Sequence, residues 1–170
     1  MRQIDTIPEL AGLLTDADHV DVRGIESEAS LREFVAAALG WRPAWLRALF
    51  RARAVLARAL RLRDPDVPLG TPPGPAEISF TPGDPAAFFT VTHGAEDRYL
   101  ALAATDTHLT GRLIFTTAPA GGRSRYELAT VVKYHRWTGP LYFTVIRPFH
   151  HLIVAGMTRA GARTREKRPS

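Results

Sequence analysis

The sequence predicts an α+β fold: one strand, two helices, an antiparallel curved meander and one long C-terminal helix. Three observations carry that expectation. The stretch Gly139–Gly161 is the most apolar in the chain, with Leu141, Val145, Phe149, Leu152, Ile153, Gly156 and Met157 recurring at helical spacing. Four segments, Ala87–His93, Arg98–Thr105, Leu109–Thr117 and Arg125–His135, read as successive strands. Between an early strand and a proline-rich loop lies Ser30-Leu31-Arg32-Glu33, a capping box that starts a helix.

Taken in order, residues 1–17 read as a loop or short helix. His19–Ile25 alternates through Val20 and Val22, with Ile25 out of step, as a first strand does. The capped helix runs to about Leu39, with Gly40 as its stop. Pro43 suits a first helical turn and opens a second helix to about Leu62. Its apolar face is Trp45, Leu49, Ala52 and Leu56. Arg47, Arg51, Arg58 and Arg61 stripe the other face, as expected of a solvent side. Asp64–Pro85 holds seven prolines and three glycines and reads as a loop with at most one short strand, Glu77–Phe80. Gly94–Asp97 and Pro119–Gly122 are turn signals within the meander. In the final segment, Tyr142, Phe143, Thr144, Val145 and Ile146 also suit a strand. The apolar period favours helix, kinked or restarted at Pro148. Arg147, His150 and His151 interrupt that segment and make it a poor membrane span.

A chain of 170 residues with 45% hydrophobic and 23% charged content suits one globular domain, expected over residues 1–165 with a basic tail at 166–170. The absence of cysteine excludes disulfides, thiolate metal sites and cysteine nucleophiles. Met1–Leu14 lacks the apolar core of a signal peptide, and a cytoplasmic location is expected. Net charge is +5, and the basic residues are nearly all arginine. No recognition motif accompanies that charge, so nucleic acid is not expected as a partner, whereas a peripheral membrane or protein partner is compatible with a basic face. The dinucleotide-binding glycine fingerprint, the His-x-x-x-His spacing and the nucleophile elbow are all missing from the sequence. No cofactor and no metal are expected.

This order of elements resembles the START-like, helix-grip (SRPBCC) superfamily of polyketide cyclases, plant hormone-binding proteins and lipid carriers. Asp106-Thr107-His108-Leu109, Val131–His135, Gly139–Tyr142, Pro148–Val154 and Pro43–Leu49 look closer to a bacterial family of unknown function within it. Members of that family also occur fused to nucleotide-binding dehydrogenase-like domains. The resemblance implies a cavity between a curved sheet and the long helix, and no particular reaction.

A two-residue turn at Gly121-Gly122 makes paired positions sum to 243 and sets His108 opposite His135, with Asp106 one pair along the same face. These three are the candidate catalytic residues, since a carboxylate beside two imidazoles can tune a general base. The strand pattern puts both histidines on the face opposite Leu109, Leu113, Phe115, Tyr126, Leu128 and Tyr134, unless a bulge re-aims them. The candidate ligand-binding residues are Leu109, Leu113, Phe115, Tyr126, Tyr134, Tyr142, Phe149, His150 and Ile153. Ala101, Ala103, Ala104 and Gly111 are small strand residues that would enlarge the cavity, and Gly156 is the helix position from which it could be filled. The expected function is binding of a hydrophobic small molecule, extending to cofactor-free cyclisation or isomerisation as in polyketide-cyclase relatives. The alternative is a non-catalytic lipid carrier or an interaction module.

Overall fold

The computed structural model describes residues 2–59, 71–105, 109–136 and 138–163. A 3-10 turn, Gln3–Thr6, leads into α1 (Pro8–Thr15) and then β1 (His19–Ser27). Next come α2 (Leu31–Gly40), α3 (Ala44–Ala59) and a 3-10 turn at Pro75–Glu77. The strands β2 (Pro85–Ala86), β3 (Phe89–Ala95), β4 (Tyr99–Thr105), β5 (Leu109–Ala120) and β6 (Arg123–Tyr134) follow, and α4 (Thr138–Ala162) closes the fold. The six strands form one antiparallel curved sheet in the order β1-β6-β5-β4-β3-β2, in a helix-grip-like arrangement.

Local chemistry accounts for each element. The Ser30 hydroxyl accepts from the Glu33 N–H at 3.3 Å, and the Glu33 carboxylate accepts from the Ser30 N–H at 2.8 Å. Two of the orphan donors at the start of α2 are thereby satisfied. Gly121 and Gly122 take φ of +55° and +89° in the β5–β6 turn, a backbone that glycine adopts without strain. The pairing Ala120↔Arg123 through Leu109↔Tyr134 follows from that turn without a slip. α4 runs through Pro148 as one helix, so the strand alternative for its first half does not apply. The short strand expected at Glu77–Phe80 is instead a 3-10 turn at Pro75–Glu77, and the two-residue strand lies later, at Pro85–Ala86. Prolines in that loop leave few N–H groups for a ladder.

The sheet is covered on both faces, which the sequence reading did not anticipate. On one face Leu100, Leu102, Phe115, Tyr126 and Leu128 meet Phe34 and Val35 of α2 and Val154 and Met157 of α4. Phe34 stacks on Tyr126 with ring centres 4.3 Å apart, and the Tyr126 hydroxyl donates to the Ala29 carbonyl. On the other face Tyr99, Ala101, Ile114, Ala129 and Val131 meet Ile4, Ile7 and Leu10 of the N-terminal arm. Val20 and Val22 point to this second layer, while Ile25 packs on the first.

Gly156 is a second correction. A Cβ there would overlap the Trp41 indole, so this point of α4 is in close contact and offers no space to fill.

Candidate functional site

Strand pairing sets two rows of side chains across the face gripped by α4. One row reads His19, Val132, Gly111, Ala104. The next reads Asp21, Thr130, Leu113, Leu102. Each row is polar at the β1 edge and apolar toward the centre of the sheet. At about 4.8 Å per strand, His19 and Gly111 stand about 10 Å apart. Among the described residues, a Cβ built on Gly111 meets nothing within 4 Å. Thr130 is 3% exposed, and its hydroxyl has no hydrogen-bond partner among the described residues. A buried hydroxyl in that state is costly unless water or a ligand satisfies it.

α4 supplies the other wall at the β1 edge. His151 Nδ1 lies 3.0 Å from Asp21 Oδ2, and Arg23 Nε lies 3.5 Å from the same oxygen. The His19 and His151 rings meet edge to face at 6.3 Å, and His150 and His151 are 6.2 Å apart. Burial raises the Asp21 carboxyl, but the His151 hydrogen bond and the Arg23 charge outweigh it and hold it below the usual carboxylate range. Burial, reinforced by Arg147, holds His19 below the ordinary imidazole value. Burial pushes His150 down to about 4, so its ring is neutral at pH 7. Tyr134 is raised by burial and by the Asp18 carboxylate, against the pull of Arg147. The pairing of an ionised carboxylate with imidazole, next to neutral rings and an apolar floor, is an arrangement suited to holding or moving a proton. No group of three or more His, Asp or Glu able to hold a metal ion occurs among the described residues.

The residues expected from sequence fall in different places. Asp106 and His108 lie outside the described residues, as does the side chain of Tyr142. His135 is exposed on the face away from α4, where its Nε2 lies 2.8 Å from the Thr110 hydroxyl. Arg112 and Lys133 share that face and both reach Asp16. Leu113, Phe115 and Tyr126 are buried in the first core layer, and Ile153 packs against it. Leu109 and Tyr134 are half-buried partners at the end of the β5–β6 ladder. His150 is half-buried beside His151, and Phe149 is 41% exposed. Of the small residues, Ala104 and Gly111 face α4, whereas Ala101 belongs to the opposite layer and Ala103 shares its face.

His19 and Asp21 are not among the residues expected from sequence, and of the adjacent pair on α4 the expected residue is His150, whereas His151 is the one that meets Asp21. The alternation His19, Asp21, Arg23 on one face of β1 is the available signal, but alternation alone does not say which face of the strand meets α4.

Among known proteins, a family model described as "Protein of unknown function (DUF2867)" matches residues 13–157. The X-ray crystal structure of protein MLL2253 from Mesorhizobium loti is similar at 12% identity, covering 86% of this chain and 98% of that one, with a TM-score of 0.44. No curated protein matches the chain.

Proposed function

The chain belongs to the family Protein of unknown function (DUF2867), and from that premise we propose that it binds a hydrophobic small molecule between its sheet and α4. The observation that carries the reading is the space over Gly111, where no described residue comes within 4 Å of a Cβ, in the same cross-strand row as His19. Val132, Leu113 and Ala104 supply an apolar floor there, and Thr130 supplies a polar group without a partner among the described residues. Ligand sites of small molecules combine these features: a mostly apolar lining with one or two placed polar groups. The START-like assignment is part of this proposal, because such a fold holds its ligand between a curved sheet and the last helix. Cofactor-free cyclisation or isomerisation would use the same space.

Nile red should bind the folded protein with a rise in fluorescence, and a hydrophobic library should contain compounds that raise its melting temperature. Gly111→Trp should lower dye affinity about tenfold or more while the melting temperature stays within a few degrees, since no described residue lies within 4 Å of a Cβ at that position. Absence of dye binding and of any thermal shift in the native protein would remove the small-molecule reading.

One observation favours a second reading, a carrier or interaction module. Phe149 and Leu152 are 41% and 60% exposed on α4, three residues apart and beside exposed Arg147. A side of α4 with apolar and basic residues exposed together suits contact with a membrane surface or another protein.

A further inference from the structure

We propose that Asp21 and His151 form a general base that removes a carbon-bound proton from the hydrophobic molecule seated over Gly111. The inference rests on the binding site proposed above and assigns it a chemistry.

The hydrogen bond decides which ring nitrogen is available. An ionised carboxylate only accepts, so the 3.0 Å contact to Asp21 Oδ2 places the His151 proton on Nδ1. In the neutral ring the lone pair is then on Nε2. Asp21 also stabilises the imidazolium that forms once Nε2 has taken a proton. The pair is set in the seam between β1 and α4, with side chains 17% and 34% exposed. In such a place the electrostatic support of a carboxylate is stronger than it is in bulk water.

The groups facing the pair suit the charge that proton removal creates. Arg23 balances Asp21 on β1, and His19 and His150 flank the His151 ring. Asp18 is occupied in accepting from the Tyr134 N–H at 2.7 Å. Arg147 lies one helical turn before His151 and has no carboxylate partner among the described residues. Thr130 stands directly across from Asp21 in the β1–β6 pairing, on the same face. It is buried, and among the described residues its hydroxyl has no partner, which leaves a donor for a developing oxyanion.

In the proposed step a C–H bond next to a carbonyl breaks and its proton bonds to Nε2. The C–H electron pair moves into an enolate whose oxygen bears the negative charge. Returning the proton to another carbon isomerises the molecule, and attack of the enolate on a second carbonyl closes a ring. Neither outcome consumes an oxidant or reductant.

The probe is 5-nitrobenzisoxazole, a flat apolar molecule that reports base strength in an apolar site. Its carbon-bound proton goes to the base, the C–H pair forms the nitrile, the N–O bond breaks, and a coloured phenolate leaves. The native protein should turn it over about 10²-fold or more faster than free imidazole at equal concentration. His151→Gln should lose about 10²-fold in kcat with Nile red affinity and melting temperature held. Asp21 is a positioning residue, so Asp21→Asn should lower kcat about 10–100-fold and leave KM unchanged. If His151→Gln fails to fold, the Asp21→Asn comparison decides the matter alone. Turnover that matches free imidazole while the dye still binds overturns the base and leaves the binding site standing. Turnover unaffected by either substitution overturns it too. Loss of both dye binding and turnover in the native protein removes the site and the base together.

Discussion

His150 shows how one residue couples the fold to pH. It sits half-buried on α4 against the β1 edge, and burial holds its imidazole at about 4, below the ordinary 6.5. A folded-state value lower than the unfolded one means that the native state prefers the neutral ring. The stability this represents is complete above pH 6.5 and is lost as pH falls toward about 4, where both states carry the proton. The full loss is on the order of 3 kcal/mol, taking about 1.4 kcal/mol per pH unit. His19 is shifted in the same direction and adds to the slope, while Asp21 gives up its contribution only at lower pH, below its ordinary 3.8. Denaturant melts between pH 7 and 4.5 should therefore show falling stability, and His150→Gln should flatten the curve. A native curve as flat as that of the variant would contradict this account.

At the level of elements, α2 and α4 set the geometry of the grip, and they meet through glycine. Gly156 lies against the Trp41 indole and Gly161 against Phe34, and a Cβ at either would overlap the ring. Close approach of a helix backbone to an aromatic ring explains why small residues occupy these positions. Gly156→Leu should therefore lower stability by about 1–3 kcal/mol or more, the usual range for overpacking a filled core. Urea unfolding would measure it, and an unchanged midpoint would mean that Trp41 can move aside. Gly111→Trp is the contrasting case, because no described residue lies within 4 Å of a Cβ there. The two substitutions separate contact from space on the same face of the sheet.

Over the whole molecule, the N-terminal arm makes the sheet a middle layer. Ile4 and Leu10 are 1% and 0% exposed against Ile114, Ala129 and Val131, so the arm completes a core layer. Gln3 reinforces this, with its N–H donating to the buried Glu127 carboxylate at 2.6 Å. Leu10→Ala should cost about 2–5 kcal/mol, the range for a buried leucine. A thermal melt would show it as a large fall in melting temperature, and a change of under a degree would mean that the arm is detached in solution. Gripping on one face leaves α4 contacts to α2 and β1 and lets the polar β1 edge form one side of the proposed site.

Much of the fold was legible in the sequence because its signals are local. The Ser30–Glu33 box, the Gly121-Gly122 turn and the 3.6-residue period of α4 each act within a few residues, and each was read correctly. The register sum of 243 followed from one turn and held from Ala120 to Leu109. What alternation cannot say is which face of a strand is gripped when both are covered. Val20 and Val22 obeyed the rule that apolar residues go inside, yet they turned toward the N-terminal arm. That choice aimed His19 and Asp21 at α4 and brought Asp21 within 3.0 Å of His151, 130 positions along the chain. The sequence by itself determined the long elements, their order and the hairpin register, since propensity, capping and turn chemistry act over short separations, but not the short elements of the proline-rich loop. Only the tertiary structure decided that the sheet is covered twice, that Gly156 lies against Trp41 while no described residue crowds Gly111, and that Asp21 meets His151, because packing partners distant in sequence leave no periodic trace.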